Sequence, residues 1–164
     1  MSHRDLLGKI REQGLIHVGF QHHTPPFAYK AAQQVEPIGY SVDICNRVLR
    51  GICVELGLEE IQISPVEVTS STRQGMLDQG LIDMECGSTT NNTERQKQIA
   101  YTMTHFLTAS RFISKKSDNL TRIADLKGKT VVSTSGTTNI RQVVEANAAQ
   151  NLGMNVVPAK DHAE

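Results

Sequence analysis

The chain has 164 residues and carries 17 Lys and Arg side chains against 17 Asp and Glu, so its formal net charge at pH 7 is zero. This balance indicates no polyanion-binding surface, and 4 Phe, 3 Tyr and no Trp offer few rings for stacking bases, so nucleic acid is not expected as a partner. The length suits one domain or two small lobes, and no apolar run approaches the length that spans a bilayer.

The first predicted element is a short amphipathic helix over residues 3–13, which ends near Gly14. Residues 1–8 lack the apolar core of a secretory signal, so the chain is expected to be either cytoplasmic or exported with its signal already removed. A buried strand is predicted at 15–19. Residues 20–29 are predicted to form a loop, because two consecutive prolines are incompatible with a helix interior or a central strand.

Residues 38–43 are predicted to lead into a long helix that runs to about residue 56 and ends at Gly57. The next strand, at 62–68, contains Pro65 and is therefore expected at a sheet edge or at a bulge. The apolar face of the long helix is predicted to carry four residues spaced by four: Ile44, Val48, Ile52 and Leu56.

Two loops that follow predicted strands carry similar sets of hydrogen-bond donors. After the strand at 62–68, Ser70 is predicted to cap a helix that has Arg73 in its first turn and ends at Gly80. After a strand predicted at 81–84, a second loop leads into a helix that Asn91 is expected to cap. Hydroxyls, free N–H groups and an arginine fork suit a carboxylate. The donors on the second loop are Ser88, Thr90 and Arg95.

The alternation of strands and helices in this first half predicts an α/β lobe with a largely parallel sheet. Ligands of such sheets collect beyond the carboxyl ends of the strands. Gln21, Ser70 and Ser88 each follow one predicted strand. The three side chains are therefore expected at the same edge, where they would form part of a receptor for a small anion.

The three cysteines show no metal-ligand spacing. Cys45 and Cys53 are eight residues apart on one predicted helix, too far to bridge, and both are interpreted as small core residues. Cys86 is either a core residue or a thiol whose partner lies outside this chain. The adjacent histidines at 22 and 23 point opposite ways on an extended segment, so a metal site is not expected. No cofactor is expected either, because the sequence has no glycine fingerprint for a dinucleotide.

In the second half, residues 106–114 are predicted to be a strand-like crossing between lobes, followed by a polar connection at 117–129. A second βαβ-like unit is predicted to follow, and it is incomplete. Its predicted parts are a strand at 130–132, a hydroxyl-rich loop at 133–138, a helix at 139–151 and a strand at 155–159.

Motifs for catalysis are incomplete. The Gly-Lys-Thr at 128–130 lacks the upstream glycine of a phosphate loop, and the Ser-Gly at 135–136 lacks the flanking glycines of a nucleophile elbow. Cys86 and His162 have no third group that would orient them as a catalytic pair. The chain is therefore not expected to be an enzyme.

Residues 87–96, Gly-Ser-Thr-Thr-Asn-Asn-Thr-Glu-Arg-Gln, are similar to the signature segment of periplasmic amino-acid-binding proteins of ABC importers. Within this family (solute-binding protein family 3), the chain resembles the glutamate/aspartate-binding branch. Five further segments agree in order and spacing, at 39–43, 69–73, 126–129, 134–138 and 159–162. The resemblance implies a type II periplasmic-binding-protein-like α/β fold. Its two lobes, with mostly parallel sheets, would be 1–107, without its return segment, and an incomplete 108–164.

The resemblance also implies a function, which is solute binding for an ABC amino-acid importer without catalysis. The ligand, glutamate or aspartate, would lie in the cleft between the lobes. By position, Ser88, Thr90, Arg95 and Thr138 would hold its α-carboxylate, and Ser70, Arg73 and His162 its side-chain carboxylate. Gln21 stands where the dicarboxylate branch has an arginine, so a neutral polar amino acid is the alternative ligand.

Partners implied by the resemblance are the amino acid and the permease subunits in the membrane, with a periplasmic location. The chain is expected to be a truncated or proteolysed member, and therefore to self-associate or swap elements. The alternative functions are an enzyme on the same scaffold, similar to a periplasmic dehydratase, and the ligand-sensing domain of a receptor.

Overall fold

The computed structural model describes residues 5–164. It is an α/β structure with three sheets: a parallel sheet of order β4-β1-β5, a small antiparallel ribbon β2-β3 and a parallel pair β6-β7. The predicted α/β class with parallel sheets is confirmed. The strands are β1 Leu15–Phe20, β2 His23–Thr24, β3 Ala28–Tyr29, β4 Gln62–Glu67, β5 Met84–Cys86, β6 Thr130–Thr134 and β7 Asn155–Ala159, and the helices are α1 Leu6–Gln13, α2 Tyr40–Leu56, α3 Arg73–Gln79 and α4 Thr138–Ala149.

The three-stranded sheet has the apolar strand β1 at its centre. Strand β4 lies at the edge, where Pro65 pairs with Val18, as the proline predicts. The strand predicted at 81–84 is wrong by about three residues. The reason is that Leu81 and Ile82 donate their backbone N–H groups to the Met76 carbonyl and close the end of α3, so the ladder starts only at β5.

Helices α1 and α2 pack on this sheet and end where their glycines predict. Gly14 and Gly57 both take the left-handed conformation that closes a helix. Residues 3 and 4 of the first predicted helix lie outside the described residues. The predicted apolar face of α2 is wrong in part, because Val48 is 37% exposed. A strict spacing of four drifts around a helix by about 40° per step, and the residues that α2 packs into the core are Val42, Cys45, Leu49, Ile52 and Leu56.

The predicted loop at 20–29 contains the ribbon β2-β3, whose turn holds the cis Pro25-Pro26 bond. The Thr24 hydroxyl donates to the Ala28 carbonyl and closes the turn. The prolines therefore exclude a central strand but not a two-residue ribbon around them.

Cys45 and Cys86 form a disulfide that joins α2 to β5, with their Cα atoms 6.2 Å apart. Both residues lie in the hydrophobic core, as predicted for Cys45 and as one of the two alternatives for Cys86. The other alternative for Cys86 is wrong, because its partner lies in this chain. Only the packing of α2 against β5 brings them together across 41 residues of sequence. Cys53 is free and half-buried.

A second unit, which we define as β6, α4 and β7, has its own core of Leu126, Val143, Leu152 and Met154. Its elements match the predicted ones to within two residues. The strand predicted at 106–114 is wrong, because residues 101–115 have no regular secondary structure, and Ile113 is 98% exposed. The first unit, which we define as α1, α2, α3 and the sheet β4-β1-β5, holds the larger core. Within residues 5–164, no helix combines the length and apolarity needed to cross a bilayer.

Candidate ligand-binding cleft

A cavity of about 710 Å³ lies between the two units, beyond the carboxyl ends of the strands of the first sheet. One wall is formed by the loop after β5, at residues 87–91, and the other by residues 137–139 at the start of α4. Residues 101–110 line it as well. Five of the predicted site residues line this cavity, namely Arg73, Ser88, Thr90, Thr138 and His162.

Gln21 ties together the three loops that follow β1, β4 and β5. Its amide is buried, and Nε2 donates to Ser70 Oγ at 3.1 Å. Its Oε1 accepts from an Arg73 terminal nitrogen at 2.8 Å and from the Ser88 N–H and hydroxyl, each at 3.3 Å. The predicted convergence of Gln21, Ser70 and Ser88 on one sheet edge is confirmed.

Ser70 is buried, but the prediction that it caps α3 is wrong. The N-cap of α3 is Thr72, and the Thr69 hydroxyl accepts from the Thr72 N–H. Ser70 instead lines a smaller cavity of about 80 Å³, together with Gln21 and His162. The two cavities therefore share His162.

Arg73, in the first turn of α3, is 3% exposed and lies beside a buried carboxylate, Glu85 of β5. The closest approach of the two groups is 3.8 Å. Within the described residues, neither Arg73 Nε nor Glu85 Oε1 has a hydrogen-bond partner, whereas Glu85 Oε2 accepts from the Thr89 hydroxyl at 2.8 Å. Burial raises the pKa of Glu85, although the Arg73 charge and the Thr89 hydrogen bond oppose the shift.

Glycine at position 87 is what allows the loop to pass over these groups. A Cβ built on Gly87 would overlap Glu85 Oε1 and Gln21 Oε1. Any larger residue would therefore push the buried carboxylate and amide out of position.

Arg95 is buried behind the wall rather than on the cavity surface. Its terminal nitrogens donate to the carbonyls of Thr90 and of Gly136, at 3.0 and 3.2 Å, and so bridge the two units. The helix predicted here is a single 3₁₀ turn at Arg95–Lys97, and the Arg95 N–H is accepted by Asn92 rather than Asn91, so the predicted cap is wrong.

The second unit contributes neutral groups. Thr137 caps α4 by accepting from the Ile140 N–H, and Thr138 Oγ1 lies 3.4 Å from Thr90 Oγ1 on the opposite wall. His162 Nδ1 lies 2.7 Å from the Thr134 hydroxyl. Burial lowers the pKa of His162, and the nearby positive charge of Arg73 lowers it further, so both favour the neutral imidazole.

The chain matches the family of bacterial extracellular solute-binding proteins, family 3, over residues 16–161. It belongs to this family. The match includes the second unit, the first unit apart from α1 and the start of β1, and every predicted site residue except His162.

This family 3 protein is 44% identical over 158 residues to a Pseudomonas aeruginosa L-glutamate/L-aspartate-binding protein and 39% identical over 158 residues to an Escherichia coli glutamate/aspartate import solute-binding protein. Each alignment covers 96% of this chain and 52% of the relative, so the chain spans about half the length of these curated relatives.

Among solved structures, that of the ancestral amino acid-binding protein AncCDT-1, a precursor of cyclohexadienyl dehydratase, matches with a TM-score of 0.80. At 21% identity, the match covers 96% of this chain and 66% of that chain. The likeness is one of fold, and it confirms the predicted type II periplasmic-binding-protein-like architecture.

In this family 3 protein, sequence reasoning missed Glu85 as part of the site. A carboxylate inside a short buried strand, two residues before a glycine, was the available signal. Within residues 5–164, no group of three His, Cys, Asp or Glu side chains is arranged to hold a metal ion.

Proposed function

We propose that this chain forms the amino-acid-binding cleft of a solute-binding protein that serves an ABC importer. Glutamate or aspartate is the favoured ligand, and a neutral polar amino acid is the alternative. The observation that carries the proposal is Arg73, a buried guanidinium on the cavity wall whose Nε–H has no partner among the described residues. A buried donor without an acceptor costs about 1–3 kcal/mol, and a ligand carboxylate would satisfy it.

The donors on the wall of the larger cavity, together with Ser70 of the adjoining smaller cavity, suit two ends of such a ligand. In this proposal the α-carboxylate is held by Ser88, Thr90 and Thr138, with the charge of Arg95 behind them. The side-chain carboxylate or amide is held by Ser70, Arg73 and His162. Gln21 takes part indirectly, because all its hydrogen bonds in the structure go to Ser70, Arg73 and Ser88.

In the same proposal, residues 1–107 and 108–164 belong to two lobes, and the cleft lies between them. The separate hydrophobic cores of the two units support this division. Two contacts join the walls of the cleft. Arg95 donates to the Gly136 carbonyl. Gly136 also lies so close to the first wall that a Cβ on it would overlap the backbone of Ser70 and Ser71.

The cleft binds its ligand without converting it, and the loaded protein delivers it to permease subunits from a periplasmic location. In support, the two relatives of 44% and 39% identity are named as a binding protein and an import solute-binding protein. The family description, extracellular solute binding, agrees with the location.

The test is an NMR titration of the ¹⁵N-labelled chain with glutamate, aspartate and glutamine, followed at the Nε–H resonance of Arg73. We expect a saturable shift, and we expect Arg73→Met to weaken binding by about 100-fold or more, because it removes a buried charged donor. Arg50→Met, on the exposed side of α2, is the matched control and should bind as the wild type does. Equal binding by both variants, or no shift with any of the three ligands, would contradict the proposal.

A further inference from the structure

Glu85 is a buried carboxylate that the binding scheme above leaves unused. Its side chain is 8% exposed, and its Oε1 has no hydrogen-bond partner among the described residues. Its counter-charge is Arg73, 3.8 Å away. Among the groups that favour its charged form, the Arg73 guanidinium has the largest effect, ahead of the Thr89 hydrogen bond and the Arg95 charge.

That guanidinium is also the donor that faces an incoming anion. Arg73 lines the larger cavity, and one of its terminal nitrogens is already committed to Gln21. A ligand carboxylate and Glu85 would therefore share one positive charge across a buried site. Keeping two carboxylates ionised around a single buried cation costs free energy, so the protonation of one of them is favoured.

We propose that Glu85 takes up one proton from the solvent when a ligand carboxylate binds at Arg73, so that this subsite accepts a side-chain carboxylate with proton uptake and a side-chain amide without it. The proton ends on Glu85 Oε1, the oxygen without a hydrogen-bond partner. The inference rests on the proposed function and specifies the ligand class of the same site. Through Glu85, one guanidinium serves both glutamate and glutamine without a second cation.

The groups around Glu85 all lie on the first unit or on the segment that follows it. Arg73 of α3 and Arg95 favour its charged form, as does the hydroxyl of Thr89. The pKa of the Tyr101 hydroxyl is raised by burial and, to a smaller extent, by the Glu85 charge. Burial nonetheless raises the pKa of Glu85, and a second anion at Arg73 would raise it further.

His162 is the other group that a bound anion would affect. Its imidazole lines the cavity, and the loss of repulsion from a neutralised Arg73 would favour its protonated form. Proton uptake measured in the wild type is therefore a sum of two contributions. The two are separable because Glu85→Gln removes only one of them, and His162→Asn removes only the other.

The experiment is calorimetric titration of the chain with glutamate and with glutamine at about pH 6, in buffers of different ionisation enthalpy, which counts the protons taken up. We expect uptake with glutamate but little with glutamine. If about half a proton is taken up, the affinity for glutamate rises about threefold for each unit by which pH falls. In parallel, the ¹³C resonance of the Glu85 carboxyl should titrate at higher pH in the glutamate-bound chain than in the free chain.

The variants assign the proton. Glu85→Gln should bind glutamate with clearly less proton uptake, whereas His162→Asn and the surface control Glu55→Gln, on the exposed side of α2, should keep the Glu85 share. If Glu85→Gln fails to fold, the carboxyl titration of the wild type decides. If glutamate binds and the pH at which the Glu85 carboxyl titrates does not change, this inference alone is overturned. If no amino acid binds, the proposed function is overturned and this inference with it.

Discussion

The wall that the first unit contributes to the cleft is charged and covalently cross-linked, whereas the wall of the second unit is neutral and held by hydrogen bonds. On the first side, Arg73 and Glu85 are buried, and Cys86, the residue after Glu85 in β5, forms the disulfide with Cys45. On the second side, the cavity meets Thr138 and a His162 whose pKa is lowered by burial. The difference indicates that the first wall sets the charge of the ligand, and the second completes its enclosure.

The largest expected effect comes from removing the cross-link of the first wall. The disulfide closes a loop of 41 residues, so Cys45→Ala with Cys86→Ala should destabilise the first unit by about 4 kcal/mol through a less restricted unfolded chain. Hydrogen exchange should show lost protection in β1 and β5 but unchanged protection in β6. Cys53→Ala is the control, because this cysteine is free. Equal loss of protection in β6 would show that the two walls are not independently held.

The second unit has a non-covalent counterpart of this cross-link. The Asn147 side chain of α4 both donates to the Met154 carbonyl and accepts from the Met154 N–H, at 3.1 and 2.8 Å. Asn147→Ala should therefore cost about 2 kcal/mol, since two part-buried backbone groups lose their partners. The loss should appear in the exchange of β6 and β7 and leave β1 unchanged. Asn46→Ala, on α2, is a control that leaves this bridge intact. If β1 loses protection as well, the comparison of two separate units fails.

An ion pair gives the first unit a pH-dependent contribution to stability, which further distinguishes it from the second unit. Burial disfavours the charged form of Asp83, but hydrogen bonds from Lys9 Nζ and the His17 N–H outweigh burial and lower the pKa of Asp83. A carboxylate with a lowered pKa stabilises the fold above its unfolded-state pKa, and that contribution disappears as pH falls through the folded value. Asp83→Asn should cost about 1.5 kcal/mol near pH 7.

The check on Asp83 is denaturant unfolding at several pH values. The difference in stability between the wild type and Asp83→Asn should shrink as the solution becomes acidic. Glu12→Gln, on the exposed side of α1, provides a comparison from the same unit. A difference that stays constant down to strongly acidic pH would exclude ionised Asp83 as its source.

Local patterns predicted the parts of the fold that depend on a few neighbouring residues. Gly14, Gly57 and Gly80 each end a helix in the left-handed conformation, and Pro65 lies in an edge strand. The Cys45–Cys86 bond was not predictable in this way, because it depends on how α2 packs on β5. The strand expected at 106–114 failed for a related reason, since an extended segment becomes a strand only where a partner pairs with it.

In the binding site, too, local patterns predicted some features, whereas others depend on tertiary packing. Strand ends placed Gln21, Ser70 and Ser88 together correctly, because parallel strands end at one edge. The sequence pattern contained no sign that Arg95 would reach the Gly136 carbonyl of the other unit. Glu85 was not predicted because a carboxylate in a strand is ordinarily solvated. Its place in a short strand before Gly87 was a signal for the site, but its position beside Arg73 depends on the fold.

The smallest expected effect is at the neutral wall. Thr138→Val keeps the shape of the side chain and removes the hydroxyl that lies 3.4 Å from the Thr90 hydroxyl across the cavity. Because one neutral hydrogen bond contributes about 1 kcal/mol, affinity for glutamate should fall by about threefold to fivefold. Thr93→Val, exposed on the opposite loop, is the matched control and should bind as the wild type does. A loss as large as that of Arg73→Met would mean that the second wall carries charge recognition too, because no single neutral hydroxyl accounts for an effect of that size.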